Sequence, residues 1–142
     1  MKKHLNVLVV ALVLFLVDQL TKYFFYNQRI LEQRGIFHPA FNTGVSRSVQ
    51  IPLVIIILIA GLALGAFIVA YERKYLTWIV FAFLLAGTLG NLVDRIMLQG
   101  VRDFLYIFSW FPVFNIADIY LNIGVLLFII PEFFAGKSKS KS

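Results

Sequence analysis

The chain contains no cysteine, and only two of its 142 residues are histidine. The first absence excludes disulfides, a thiol nucleophile and thiolate metal sites, and leaves the redox compartment undefined. His4 and His38 are far apart and form no His-x-x-x-His pair, so a catalytic zinc site is not expected. Charge is scarce as well. Only 14% of residues are Asp, Glu, Lys or Arg, against roughly 25% in soluble domains. A soluble protein of this size could not cover its apolar surface with so few polar groups. No basic face with interleaved aromatics is present either, so the net charge of +6 does not point to nucleic acid.

What the chain has in quantity is apolar sequence: 61% hydrophobic residues and a mean hydropathy of +0.87. Lipid is the natural solvent for it. The length suits one membrane domain over 1–142. Four spans are expected, at about 5–26, 51–71, 76–95 and 116–134, with a flexible polar tail over 136–142. The first begins like a signal peptide, with Lys2 and Lys3 before an apolar run. It has no small-x-small cleavage site and is read as a retained helix. Residues 51–71 carry no charge, enough to cross a hydrocarbon core of roughly 30 Å. Gly61 and Gly65 form a GxxxG pair that would allow close helix packing.

Two segments are not simple helices, Asn27–Gln50 and Gln99–Asn115, which are punctuated by Gly35, Pro39, Gly44, Gly100 and Pro112. The apolar and aromatic stretch 101–114 suits short strands or an interfacial layer, and Trp110 with Phe111 reads as an anchor. The distribution of basic residues orients the chain. Lys2, Lys3, Arg73, Lys74, Lys137, Lys139 and Lys141 lie at the termini or in the 72–75 turn, against four arginines in the two irregular segments. Both termini are therefore expected in the cytoplasm, with the irregular segments outside.

The acidic residues inside apolar sequence are the chemical signal. Asp18 and Lys22, four apart, share a helical face and are expected to pair. Asn91-Leu-Val-Asp94-Arg95 ends the third span and Asn115-Ile-Ala-Asp118 begins the fourth. In each, Asn-x-x-Asp puts an amide and a carboxylate on one face. Asp103 lies between them. Two carboxylates brought together near lipid cannot both ionise cheaply, so one holds a proton and the pair offers an acid and a base around a water. Such groups serve proton relays equally well. At this level hydrolysis and a small proton-coupled transporter or channel subunit both stand. A Ser–Lys dyad of Ser46 or Ser48 with Lys22 is weaker, because Asp18 favours charged Lys22.

The ordered blocks Asp18-Gln-Leu-Thr-Lys22, Asn42-Thr-Gly44, Gly90-Asn-Leu-Val-Asp-Arg95, Val101-Arg-Asp-Phe104 and Phe114-Asn-Ile-Ala-Asp118 resemble lipoprotein signal peptidase, also called signal peptidase II. The resemblance spans nearly the whole chain. It implies an all-α integral membrane protein with four transmembrane helices and a small extracytoplasmic β-like cradle. The implied activity is that of a bacterial inner-membrane aspartic endopeptidase cutting signal peptides from diacylglyceryl-modified prolipoproteins. It implies Asp103 and Asp118 as the catalytic dyad, with Asn42, Asn91, Asp94, Arg95 and Asn115 orienting dyad and substrate, and Asp18 and Lys22 supporting them. No cofactor or metal is implied. The partners are the lipid-modified precursor and membrane lipid, and the chain is expected to be a monomer. Two departures stand out: Arg47 replaces the family's usual aromatic, and the 103–118 stretch is short.

Overall fold

The computed structural model describes residues 2–44 and 52–139. Helix α1 (Lys2–Thr21) runs directly into a π-helical stretch, Lys22–Asn27, and the chain then turns into strand β1 (Phe37–Asn42). Helix α2 (Leu53–Glu72) follows, then α3 (Trp78–Leu98), strand β2 (Val101–Leu105) and α4 (Ile116–Lys139). The fold is mostly helical with a two-stranded antiparallel sheet, as expected from the apolar runs and their Gly/Pro punctuation. The segments Lys3–Asn27, Leu53–Glu72 and Trp78–Leu98 are each long and apolar enough to cross a membrane, and Ile116–Ile130 is a shorter apolar stretch. Helix α4 carries on to Lys139, beyond the expected end at 134. The Ser46, Arg47 and Ser48 positions lie outside the described residues.

Helix α3 is the organising element. α1, α2 and α4 all pack against it, while the backbones of α1 and α2 stay apart and are bridged at one end by the His4 and Tyr71 rings. Its sequence explains this: Gly87, Gly90 and small neighbours let α1 and α4 approach its backbone. A Cβ at Gly87 would lie 2.6 Å from the carbonyl oxygen of Ala117, and one at Gly124 of α4 would lie 2.8 Å from Leu84. The GxxxG pair, whose spacing would allow close packing, is not used for it among the described residues. A Cβ at Gly61 or Gly65 would meet nothing within 4 Å from the other described residues, because α2 turns that face away from the bundle. Helix α2 buries only Ile56, and residues such as Leu62 stand 75% exposed. A helix apolar all round and mostly unburied is solvated by lipid.

Thr77 starts α3 by accepting a hydrogen bond from the Val80 amide, an N-cap. The two strands pair with Ala40 opposite Asp103 and Asn42 opposite Val101. Beyond β2 the chain loops out and returns, so that Phe114 bridges Leu105. That return sets Asn115, and with it the start of α4, beside β2.

Candidate active site

The site lies where the last turns of α1 and α3 meet β2 and the first turn of α4. Its base is a fully buried ion cluster. Lys22 Nζ sits 2.9 Å from Asp18 Oδ2 and 3.5 Å from Asp94 Oδ2, with all three side chains at 0% exposure. The same ammonium donates to the Gly90 carbonyl at 3.1 Å and to Asn91 Oδ1 at 3.2 Å. Charges this deep persist only when paired and hydrogen-bonded. The π-helical stretch begins at Lys22, a widening of the kind found at functional sites.

Asp18 has a second task. Its Oδ1 accepts from the Ala117 amide at 2.9 Å, so a carboxylate from the first helix caps the positive end of α4. Gly90 makes room for it: a Cβ there would stand 2.6 Å from Asp18 Oδ2.

Asp94 does not pair with adjacent Arg95. Its Oδ1 takes Arg102 Nη2 at 2.7 Å, and its Oδ2 takes Arg102 Nε at 3.1 Å and the Arg102 backbone amide at 3.0 Å. This fork ties the start of β2 to α3. Gln19 Oε1 and Asn27 Oδ1 accept two further guanidinium protons at 2.8 and 2.9 Å. Arg95 is half-buried with no carboxylate in ion-pair contact among the described residues. It lies within the electrostatic reach of Asp118, Asp103 and Asp94.

Asp103, 2% exposed, is brought into this corner by the β1–β2 register. Asn42 Nδ2 donates to its Oδ2 at 3.1 Å, and Asn115 Nδ2 to its Oδ1 at 2.6 Å. Asp118 is more open. Its Oδ1 accepts from Asn91 Nδ2 at 2.7 Å and its Oδ2 from the Asn115 amide at 3.1 Å, while the Asp118 amide donates to Asn115 Oδ1 at 3.1 Å. That reciprocal pair is a capping box, with Asp in place of the usual Glu or Gln. The two carboxylates are linked through Asn115 and Asn91, since Asn115 Nδ2 also lies 3.1 Å from Asn91 Oδ1. Neither carboxylate makes a direct ion pair among the described residues, although Arg95 lies within electrostatic reach of both and Lys22 of Asp103. Burial first, and then the charge of nearby Asp118, push the Asp103 carboxyl up to about 7.

All the residues expected at the site (Asp18, Lys22, Asn42, Asn91, Asp94, Arg95, Asp103, Asn115 and Asp118) come together in this one corner. Three further contributors were missed in the sequence: Gln19, Asn27 and above all Arg102. Their signal was slight, a cation beside Asp103 and two amides near Lys22.

A family profile described as Signal peptidase (SPase) II, Peptidase_A8, matches residues 10–134. The chain belongs to the signal peptidase II family. It is 30% identical to a lipoprotein signal peptidase of Shouchella clausii (strain KSM-K16), over 94% of this chain and 97% of that one. Its fold is similar to that of a bacterial membrane enzyme solved by the in meso method at 2.3 Å, with a TM-score of 0.78, 26% identity, and coverage of 94% of this chain and 91% of the other. A second in meso structure of a bacterial membrane enzyme, at 1.9 Å, gives 0.72 and 27%, over 89% of this chain and 91% of the other. Members of the signal peptidase II family are membrane aspartic endopeptidases that process prolipoproteins, which decides between the two readings left open by the carboxylates. Hydrolysis stands, and the proton-coupled transporter does not. The apolar helices and the family together place the protein in the bacterial inner membrane.

Proposed function

We propose that Asp103 and Asp118 are the catalytic pair with which this signal peptidase II cuts diacylglyceryl-modified prolipoproteins. The observation that carries the reading is the asymmetry of the pair. Asp103 is buried, with its carboxyl raised to about 7, while Asp118 is partly open and presents both oxygens as acceptors. In the reactive form Asp103, whose carboxyl is raised to about 7, holds the proton and Asp118 serves as the base. Asp118 takes a proton from a water as its oxygen attacks the scissile carbonyl, and the Asp103 carboxyl gives its proton to the carbonyl oxygen. The tetrahedral intermediate then collapses: the C–N bond breaks, the leaving amine takes the proton held by Asp118, and the hydroxyl returns a proton to Asp103. The products are a carboxylic acid and an amine, with the dyad restored.

Asn115 and Asn91 hold the two carboxylates in register, Asn42 fixes the outer oxygen of Asp103, and Asp18, Lys22 and Asp94 form the rigid base beneath them. Arg95, without an ion pair among the described residues, is the cation assigned to the substrate backbone in this reading. In this reading the corner lies at the outer membrane boundary and both termini are cytoplasmic, an orientation supported by the basic residues at the termini and the 72–75 turn. There a lipid-modified helix can meet the dyad without leaving the bilayer. The working unit is a monomer, because one chain supplies every group named.

The test is purified protein in detergent with a precursor carrying a diacylglyceryl cysteine and the same precursor without lipid. A shortened product from the first alone supports the reading. Equal cleavage of both, or cleavage of neither, contradicts it.

A further inference from the structure

At the end of the bundle away from the dyad, α1 and α2 both rest on α3 with their backbones held apart, and a cleft opens between them. Lys3 lies fifteen residues before Asp18 on α1, about 22 Å along the helix axis at 1.5 Å per residue. The mouth of the cleft is a cavity of about 400 Å³ with Lys3, Lys74, Glu72 and Trp78 among its lining residues. It continues into a narrower apolar groove of about 280 Å³, walled by Val7 and Leu8 of α1 and Ile68 of α2 and floored by Phe81 and Leu85 of α3. His4, Tyr71 and Glu72 line both compartments. The junction is stiff, because the Tyr71 ring stacks on Phe81 at 4.6 Å and receives the edge of His4 at 5.6 Å.

We propose that this cleft binds one anionic phospholipid of the leaflet opposite the active site, its phosphate held by Lys3 and Lys74 and one acyl chain lying between α1 and α2. A basic, partly aromatic mouth opening into an apolar channel matches the two halves of a membrane lipid. Two lysines face a single carboxylate, Glu72, so the mouth favours a headgroup with net negative charge over a zwitterionic one. Trp78, the first residue of α3, stands where interfacial aromatics sit. The bound chain fills the space between the α1 and α2 backbones and adds to the hold that α3 and the His4–Tyr71 ring contact have on α2. The proposal is independent of the proteolytic reading, since no residue of the cleft belongs to the dyad or its supports.

The test is native mass spectrometry of the full-length protein released from nanodiscs of equal parts phosphatidylglycerol and phosphatidylcholine. Wild type is expected to retain phosphatidylglycerol over phosphatidylcholine by roughly tenfold. Combined Lys3→Gln and Lys74→Gln should bring the two lipids to parity, and Ile68→Trp, which fills the groove, should lower retention of both. Leu8→Trp, on the facing wall, gives the same reading should Ile68→Trp fail to insert. Precursor cleavage is expected to persist in the variants and reports that they are folded. Equal retention of both lipids by wild type, or a preference that survives the double lysine change, would overturn the proposal. So would binding of soluble glycerol phosphate as strong as that of the lipid, or a second copy of the chain in place of bound lipid.

Discussion

Lys22 Nζ and Asn91 Oδ1 meet at 3.2 Å between the first and third spans, and this contact decides which way the Asn91 amide points. Lysine can only donate, so the amide oxygen must face it, leaving the amide nitrogen to donate to Asp118 Oδ1 at 2.7 Å. The same oxygen accepts from Asn115 Nδ2, which also reaches Asp103. One buried cation thus fixes the polarity of a chain of hydrogen bonds that ends on both carboxylates.

Replacing Lys22 with Met should therefore be severe twice over. It leaves Asp18 without its cation in a fully buried setting, a loss of about 3–5 kcal/mol, and frees the Asn91 amide to turn. The melting temperature in detergent should fall steeply, and the protein that survives should cleave precursor slowly. A variant that melts with wild type would remove Lys22 from its structural role.

The pH dependence follows from Asp103. Its carboxyl is raised from 3.8 to about 7 in the folded protein, so the folded state holds a proton there that the unfolded chain has already lost. The stability this contributes is fully present below about 3.8 and is lost as pH rises through about 7. Cleavage should decline over the same upper limb, with kcat/KM falling about tenfold per pH unit above 7 as the acid form disappears. Thermal scans should find Asp103→Asn at least as stable as wild type at pH 8. A rate that is flat to pH 9 would exclude Asp103 as the acid.

Two glycines make a paired test of packing. Gly90→Ala drives a methyl group to within 2.6 Å of Asp18 Oδ2 and 3.0 Å of the Ala117 side chain, and should cost about 1–3 kcal/mol by displacing a buried carboxylate. Gly61→Ala meets nothing within 4 Å and should leave stability within about 0.5 kcal/mol of wild type. Melting curves of the two variants side by side check both.

Arg102 gives a test of positioning. Arg102→Lys keeps the charge but cannot reproduce the fork on Asp94, so β2 loses its tie to α3 and Asp103 its fixed place. The expectation is a fall in kcat of up to about 10²-fold with a smaller change in KM. Separate measurement of kcat and KM for the lipid-modified precursor distinguishes this from weakened substrate binding.

Much of this arrangement was legible in the chain. The i, i+4 spacing of Asp18 and Lys22 foretold their pair, the Gly/Pro punctuation of Asn27–Gln50 and Gln99–Asn115 foretold non-helical connections, and the motif order foretold which residues gather. The partner of Asp94 was not legible. Helical geometry says that Arg95 faces away from it, but only the β1–β2 register, a long-range property, brings Arg102 back. Asn115-Ile-Ala-Asp118 could have been read further than a shared face, because its spacing at a helix start is that of a capping box. The idle face of Gly61 and Gly65 illustrates the opposite error. A small-residue spacing states that helices can approach closely there, and nothing in it supplies the second helix.

The central claim, that Asp103 and Asp118 act together on one water, is tested most directly by single-turnover cleavage of a lipid-modified precursor by purified Asp103→Asn and Asp118→Asn. Each is predicted to lose about 10⁴-fold or more in rate while melting as a folded protein. Cleavage at the wild-type rate by either variant would contradict the account.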